Sequence, residues 1–388
     1  MTSSAEGHAA SLGKPLWELV RLYLKLGTLA FGGPAAHIAL MEDEVVRRRG
    51  WLSREQFLDL LGASNLLPGP SSTELAIYIG YVRCGLLGLV AAGVCFILPA
   101  FLMVMGIGWA YAGYGSLPLA TGLLYGVKPV VIAIVVQAIW RLGRTAVKTP
   151  FLAVVGLAAA ALNFAGVNPL AVLIGSGVVV VVRGLARSRP EQPPSPQFPF
   201  PPLLAAGGAA SAASIGLWPL FFAFLKLGCV VFGSGYVLLA FLRADLVEQR
   251  HWMSESQLLD AVAVGQVTPG PVFTTATFIG YVIAGPAGAT AATVGIFLPA
   301  FVLVAATGPL VRRLRKSPAK ADFLDGVNMG ALGLMAVVTW NLSRAAINDG
   351  LTLCLAVTSA IVLLAFRVNA TWLIIGGGAI GLITSRWQ

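Results

Sequence analysis

The chain has 388 residues, 26 of them Lys or Arg and 16 Asp or Glu, so 11% are charged, against about 25% in an ordinary soluble domain. With 57% apolar residues and a mean hydropathy of +0.84, it has too little charge to clothe a soluble domain and too many large apolar residues to stay disordered, which leaves an all-α polytopic membrane protein. The net charge of +10 lies in short clusters between apolar runs, as in cytoplasmic loops, so no nucleic-acid partner is expected.

Residues 1–14 are polar, and the first apolar run, 15–33, carries Glu18, Arg21 and Lys25 with no cleavage site behind it, so this segment is expected to stay attached. Lys25 lies inside the run. An intramembrane Lys is costly and by default a functional candidate, with snorkelling to an interface as the other reading. The run ends at Phe31-Gly32-Gly33-Pro34, where Gly32 and Gly33 permit close approach of a helix or a ligand. Ser53-Arg54-Glu55-Gln56 satisfies a capping box, stapled by Leu52 and Phe57, and predicts a helix start.

The next run, 56–82, is interrupted at Pro68-Gly69-Pro70. Two prolines around a glycine remove backbone donors and favour a change of direction, so the run reads as two half-helices in a re-entrant hairpin. Ser71, Ser72 and Thr73 open the second half-helix. Free amides, the positive end of the dipole and hydroxyl donors make this an anion site, while plain capping is the alternative. Asn65 is expected to line it. Glu74, just beyond the break, is the candidate for coupling protons to transport, with pairing to Lys25 or Arg83 as the other reading. Asp59 reads as structural or gating. Runs 85–111, 119–140, 150–165 and 169–183 read as spanning helices.

The stretch 189–202, dense in proline, lies in an extended linker, 188–213, between a first membrane half, 1–187, and a second, 214–388. The second half repeats the first in order. Leu225-Lys226-Leu227-Gly228 answers Leu24-Lys25-Leu26-Gly27, and Phe232-Gly233 answers Phe31-Gly32. Trp252-x-Ser254, Asp260, Pro269-Gly270-Pro271 and Leu298-Pro299-Ala300-Phe301 follow at matched places. Lys226, Gly233 and Gln266 thereby repeat Lys25, Gly32 and Asn65, and Thr274 and Thr275 follow the second break. An odd number of crossings per half inverts the second half. In agreement, its basic cluster (Arg312, Arg313, Arg315, Lys316, Lys320) moves to the loop whose first-half counterpart is uncharged. The expectation is an inverted repeat of about ten spanning helices and two re-entrant hairpins, with both termini outside. Four scattered cysteines and three histidines show no ligand spacing, so neither a metal nor another cofactor is expected.

Inverted repeats with helices broken at matched places are the architecture of secondary transporters, whose substrates bind near the midplane. A small oxyanion held between the two Pro-Gly-Pro breaks is the reading the residues give. No GxSxG, HExxH or spaced carboxylate pair points to an enzyme. Phe31-Gly32-Gly33-Pro34, Asn65-Leu66-Leu67-Pro68-Gly69-Pro70-Ser71-Ser72 and Gly265-Gln266-Val267-Thr268-Pro269-Gly270-Pro271, in this order, resemble the chromate transporter family in its two-domain form. The resemblance covers nearly the whole chain. It implies export of chromate across the bacterial inner membrane, conferring resistance, with a sulfate-like tetrahedral dianion as the relevant shape. The second half has Gly233-Ser234-Gly235 where the first has Gly-Gly-Pro, so the two hairpins are not expected to contribute equally. From the residues alone, sulfate or another oxyanion is an alternative to chromate, and a channel is an alternative to a transporter. The partners expected are the oxyanion and the lipid bilayer, with a homodimer left open.

Overall fold

The computed structural model describes residues 3–30, 33–115, 117–187, 216–231, 237–308, 318–366, 368 and 370–384. Gly32, Gly233, the proline-rich linker and the basic residues Arg312, Arg313, Arg315 and Lys316 lie outside the described residues, as does the side chain of Lys320. The described residues form fourteen α-helices and no sheet. In the first half these are α1 (Ser3–Leu29), α2 (Gly33–Glu42), α3 (Arg54–Ser64), α4 (Ser71–Tyr114), α5 (Pro118–Ala146), α6 (Pro150–Phe164) and α7 (Pro169–Arg187). In the second they are α8 (Leu217–Val230), α9 (Val237–Leu242), α10 (Glu255–Val267), α11 (Thr275–Thr307), α12 (Pro318–Ala346), α13 (Gly350–Phe366) and α14 (Ala370–Thr384). Five helical segments, within α4, α5, α7, α11 and α12, are long and apolar enough to cross a membrane, and α6, α8, α13 and α14 are shorter apolar helices. Their outer faces expose Leu86, Leu87, Leu157, Phe164 and Phe366, which a bilayer covers. The chain is a multi-pass helical membrane protein.

Both capping boxes form, Ser53 with Gln56 and Ser254 with Gln257. Each starts a short helix, α3 or α10, that runs up to a Pro-Gly-Pro break. Beyond the break, α4 leaves helical geometry at Cys84 and Gly85, and α11 does so at Ala284 and Gly285, with φ near 60° at both glycines. These are reversals of direction. An added Cβ on Gly80 would stand 2.2 Å from the Gly88 carbonyl oxygen and 2.6 Å from Ala92 Cβ. In one continuous helix residues 80 and 92 would lie about 18 Å apart. Limb 71–83 therefore folds back along limb 86–114, and glycine at 80 and 88 lets the two backbones touch. Arg83 ends the first limb with its guanidinium 3.9 Å over the ring of Trp51, which precedes α3, and it donates to Glu18 at 2.9 Å. The path from α3 through the break to residue 83 thus leaves one face of the bundle and returns to it.

The first apolar run of each half departs from expectation. Lys25 Nζ lies 2.8 Å from Glu44 Oε1, and Lys226 Nζ lies 2.8 Å from Asp245 Oδ1. Had α1 run straight on, Lys25 and Glu44 would be about 28 Å apart. The chain instead turns after Leu29, with Gly33 at a φ of 76°, and α2 runs back into a wider π-helical turn at Asp43–Arg48. A hairpin replaces the expected crossing, with Gly33 in the left-handed region where the composition read only close packing. The start of the apolar run, at Glu18, accordingly stands on the same face as Arg83 and Trp51, not opposite Arg47, Arg48 and Arg49. This corrects the expectation that the start of this run stands on the other side.

The halves interlock. Tyr81, near the reversal of α4, packs on Gly308 at the end of α11, and Tyr281, near the reversal of α11, packs on Gly108 towards the end of α4. The long limbs of α4 and α11 are therefore antiparallel. α5 packs on α13 and α14, and α12 on α6 and α7. Small residues make these crossings close: the Cβ of an alanine at Gly126 would collide with the Gly377 backbone, and one at Gly326 with that of Ser176.

Candidate functional site

The two breaks meet the tips of the opposite first helices. Gly69 N–H donates to the Val231 carbonyl at 2.7 Å, and Gly270 N–H donates to the Ala30 carbonyl at 3.0 Å. Both glycines need their freedom: φ is 139° at Gly69 and 91° at Gly270. A Cβ at Gly69 would meet the Glu74 carboxylate, and one at Gly270 would meet Ala100. Pro68, Pro70, Pro269 and Pro271 shape the turns by withholding amide donors.

Donor capacity is unequal between the breaks. Ser71, Ser72, Thr73 and Glu74 are all buried at the start of α4. Thr73 Oγ1 and both Glu74 carboxylate oxygens have no hydrogen-bond partner among the described residues. Ser72 Oγ faces His37 Nδ1 at 3.4 Å, and His37 Nε2 lies 3.0 Å from the Ala30 carbonyl that also receives Gly270 N–H. With Nε2–H donating to that carbonyl, Nδ1 is left as an acceptor for the Ser72 hydroxyl. At the second break, Thr274 donates to the Pro271 carbonyl at 2.7 Å and Thr275 to the Val272 carbonyl at 2.8 Å. Their protons are committed to their own backbone. The structure thus brings Ser72, Thr73 and Glu74 together with Gly270 across the centre, while Asn65 is exposed and Gln266 half-buried at the ends of the preceding helices.

Lys25 and Lys226 are half-exposed and each is bonded to a buried carboxylate. Arg49 Nε reaches the same Glu44 at 3.3 Å, and Arg250 Nε reaches Asp245 at 2.9 Å. Lys25 and Arg49 together hold the Glu44 carboxyl below its usual range. The lysines are therefore parts of two matched locks that tie each first helix to its returning π-helical turn. A small cleft of about 60 Å³ adjoins the second lock, lined by Lys226, Asp245, Gln249, Phe241 and Asn168.

Sequence reasoning passed over several of these groups. Glu44 and Asp245 sit at matched places, so the repeat itself carried their signal. His37 has Leu238 opposite it in the repeat and leaves no periodic trace. Lys128 is the one charge in the apolar run 119–140 and warranted the same suspicion as Lys25.

Residues 17–181 and 218–382 each match the chromate transporter family. The chain belongs to the chromate transporter family. Its two matched stretches coincide with the two sets of hairpins. The chain is 36% identical to the chromate transport protein of Cupriavidus metallidurans, over 95% of this chain and 93% of that one. It is 34% identical to a probable chromate transport protein of Synechococcus elongatus, over 86% of each chain. With the chromate transport protein of Pseudomonas aeruginosa it shares 31% identity over 84% of this chain and 81% of that one. No solved structure matches the chain.

Proposed function

We propose that this protein is a secondary transporter that carries chromate out of the bacterial cytoplasm across the inner membrane, binding the dianion at the centre, where the two Pro-Gly-Pro breaks meet. The observation that carries this reading is the pair of non-helical breaks, each clasped by the tip of the other half's first helix. Irregular backbone at membrane depth is tolerated only inside protein or beside a cavity, and half-helix N-termini offer amides and a positive dipole end to an anion. The first break supplies the uncommitted hydroxyl of Thr73, with Ser72 held towards His37, and the second supplies shape. The antiparallel long limbs of α4 and α11, rather than the count of crossings, support a repeat inverted across the bilayer, with 1–187 and 214–388 as the two units. The face bearing Arg83 and Trp51 is cytoplasmic in this reading, since the first half's basic loops gather there.

The halves rock about the centre, while the two carboxylate locks, Lys25–Glu44–Arg49 and Lys226–Asp245–Arg250, keep the first hairpin of each half rigid. An inside-negative potential of about 100 mV favours exit of a dianion by about 4.6 kcal/mol, at roughly 2.3 per charge, so the potential alone can drive export. Glu74 is the coupling group if protons take part. It is fully buried and has no hydrogen-bond partner among the described residues.

Uptake of labelled chromate and sulfate into inverted vesicles, with potential and pH gradient clamped separately, tests the reading. Potential-driven uptake of chromate, with sulfate as a weaker competitor, is expected. Preferred uptake of sulfate would reassign the substrate, and uptake that does not respond to either gradient would reject the mechanism.

A further inference from the structure

α5 carries one cation deep in its apolar body. Lys128 stands about 15 Å from the start of the helix, among the buried Val127, Val130 and Val131. Its ammonium lies 3.2 Å from Asp260 Oδ1 and donates to Ser256 Oγ at 2.6 Å, while the Tyr111 hydroxyl donates to Asp260 Oδ2 at 2.9 Å. The Lys128 side chain is 17% exposed and that of Asp260 4%. The cluster joins α4 and α5 of the first half to α10 of the second.

Three features set this cluster apart from an ordinary structural ion pair. An ammonium has three donors; on Lys128 one bonds Ser256, and the ammonium pairs by charge with Asp260 Oδ1, which has no hydrogen-bond partner among the described residues. Asp260 lies about 10 Å along α10 from its end at Val267, where the second break begins, so the cluster stands within two helical turns of that break. The repeat supplies no twin: Asp59 matches Asp260, but Asn328 stands where Lys128 would be matched. The cation is present on one side of the centre only.

We propose that Lys128 is a second contact for the oxyanion, on the second-half side of the breaks, and that Asp260 and Tyr111 are positioning residues that hold its ammonium there. This rests on the reading that an oxyanion passes the breaks. The resident carboxylate pairs with the ammonium in the apolar helix body and competes with the passing anion for it. An anion that reaches the ammonium is attracted, and the carboxylate retakes the ammonium as the anion leaves. Contact is strong enough to guide the anion and weak enough to release it.

The test is labelled chromate and sulfate uptake by the reconstituted full chain, comparing Lys128→Gln, Lys128→Arg, Asp260→Asn and the double variant Lys128→Gln/Asp260→Asn. Loss of one charge-assisted hydrogen bond to the anion is expected to raise KM about ten-fold in Lys128→Gln. Lys128→Arg keeps the charge and is expected to stay within about three-fold of the parent. Asp260→Asn unmasks the ammonium, so KM and maximal rate both fall. The double variant has no unpaired charge. If Lys128 touches the anion, it keeps the high KM; if the pair is only a structural tie, the parent KM returns, and that result overturns the proposal. Should Lys128→Gln fail to reach the membrane, the arginine and double variants still decide. A raised KM in Lys128→Gln beside an unchanged KM in Ser72→Ala/Thr73→Val would reject the central site and leave Lys128 standing. The reverse pattern would reject Lys128 alone.

Discussion

Replacing Gly270 by alanine asks whether the second break is the packed, non-helical turn described above. Gly270 has a φ of 91°, and a Cβ there would stand 2.8 Å from Ala100 Cβ and 3.2 Å from the Gly27 carbonyl oxygen. The left-handed backbone costs a non-glycine residue about 1–2 kcal/mol, and overpacking adds about 1–3 kcal/mol. The native turn is therefore disfavoured by about 2–5 kcal/mol, where about 1.4 kcal/mol is a factor of ten in any equilibrium that depends on it. Gly85 is the control. Its φ is 60° and its ψ −145°, but a Cβ there would meet no heavy atom within 4 Å, so Gly85→Ala carries only the backbone share, about 1–3 kcal/mol, without the overpacking. Thermal unfolding of the detergent-solubilised proteins and oxyanion uptake after reconstitution read the difference. Gly270→Ala is expected to unfold at the lower temperature and to lose about ten-fold or more of uptake relative to Gly85→Ala. Equal stability and equal uptake in the two variants would refute the packed turn.

Thr274→Ala and Thr275→Ala should leave substrate KM within about two-fold, because both hydroxyls already donate to their own backbone; a large rise in competition assays would show that they turn to the anion. Lys25→Met removes one of two strong partners of the buried Glu44 and should cost about 1–2 kcal/mol, reduced by the half-exposure of the lysine, as read by denaturant unfolding. The same lock has a signed pH dependence. Because the folded Glu44 carboxyl is held below its ordinary value of 4.5, its contribution is present above that pH and is lost as pH falls towards the folded value, so Glu44→Gln should flatten the acid limb of the stability curve. Glu74→Gln should retain potential-driven uptake while removing any proton movement that accompanies it; an unchanged pH dependence would take Glu74 out of coupling.

The parts of the molecule that could be read from the sequence are those where local chemistry admits one outcome. Ser53 with Gln56 and Ser254 with Gln257 announced two helix starts, and both form. Proline on each side of Gly69 and of Gly270 forbade a continuous helix, and the chain breaks there. What escaped depends on distant partners. The turn after Leu29 was hidden because Gly32-Gly33 serves close packing as well as reversal, and only the Lys25–Glu44 bond distinguishes the two. The lysines looked like free cations because their carboxylates lie on the returning limb of the hairpin, nineteen residues away. The contrast between Thr73, whose hydroxyl has no partner among the described residues, and the self-bonded Thr274 and Thr275 is one that no spacing reveals.

Equilibrium binding of labelled chromate to the purified protein, compared with Ser72→Ala/Thr73→Val, tests the central claim most directly. Loss of the free Thr73 donor, together with the Ser72–His37 contact beside it, should weaken binding about ten-fold or more while the protein stays folded. Binding as tight as that of the parent in a folded double variant would contradict an oxyanion site at that break.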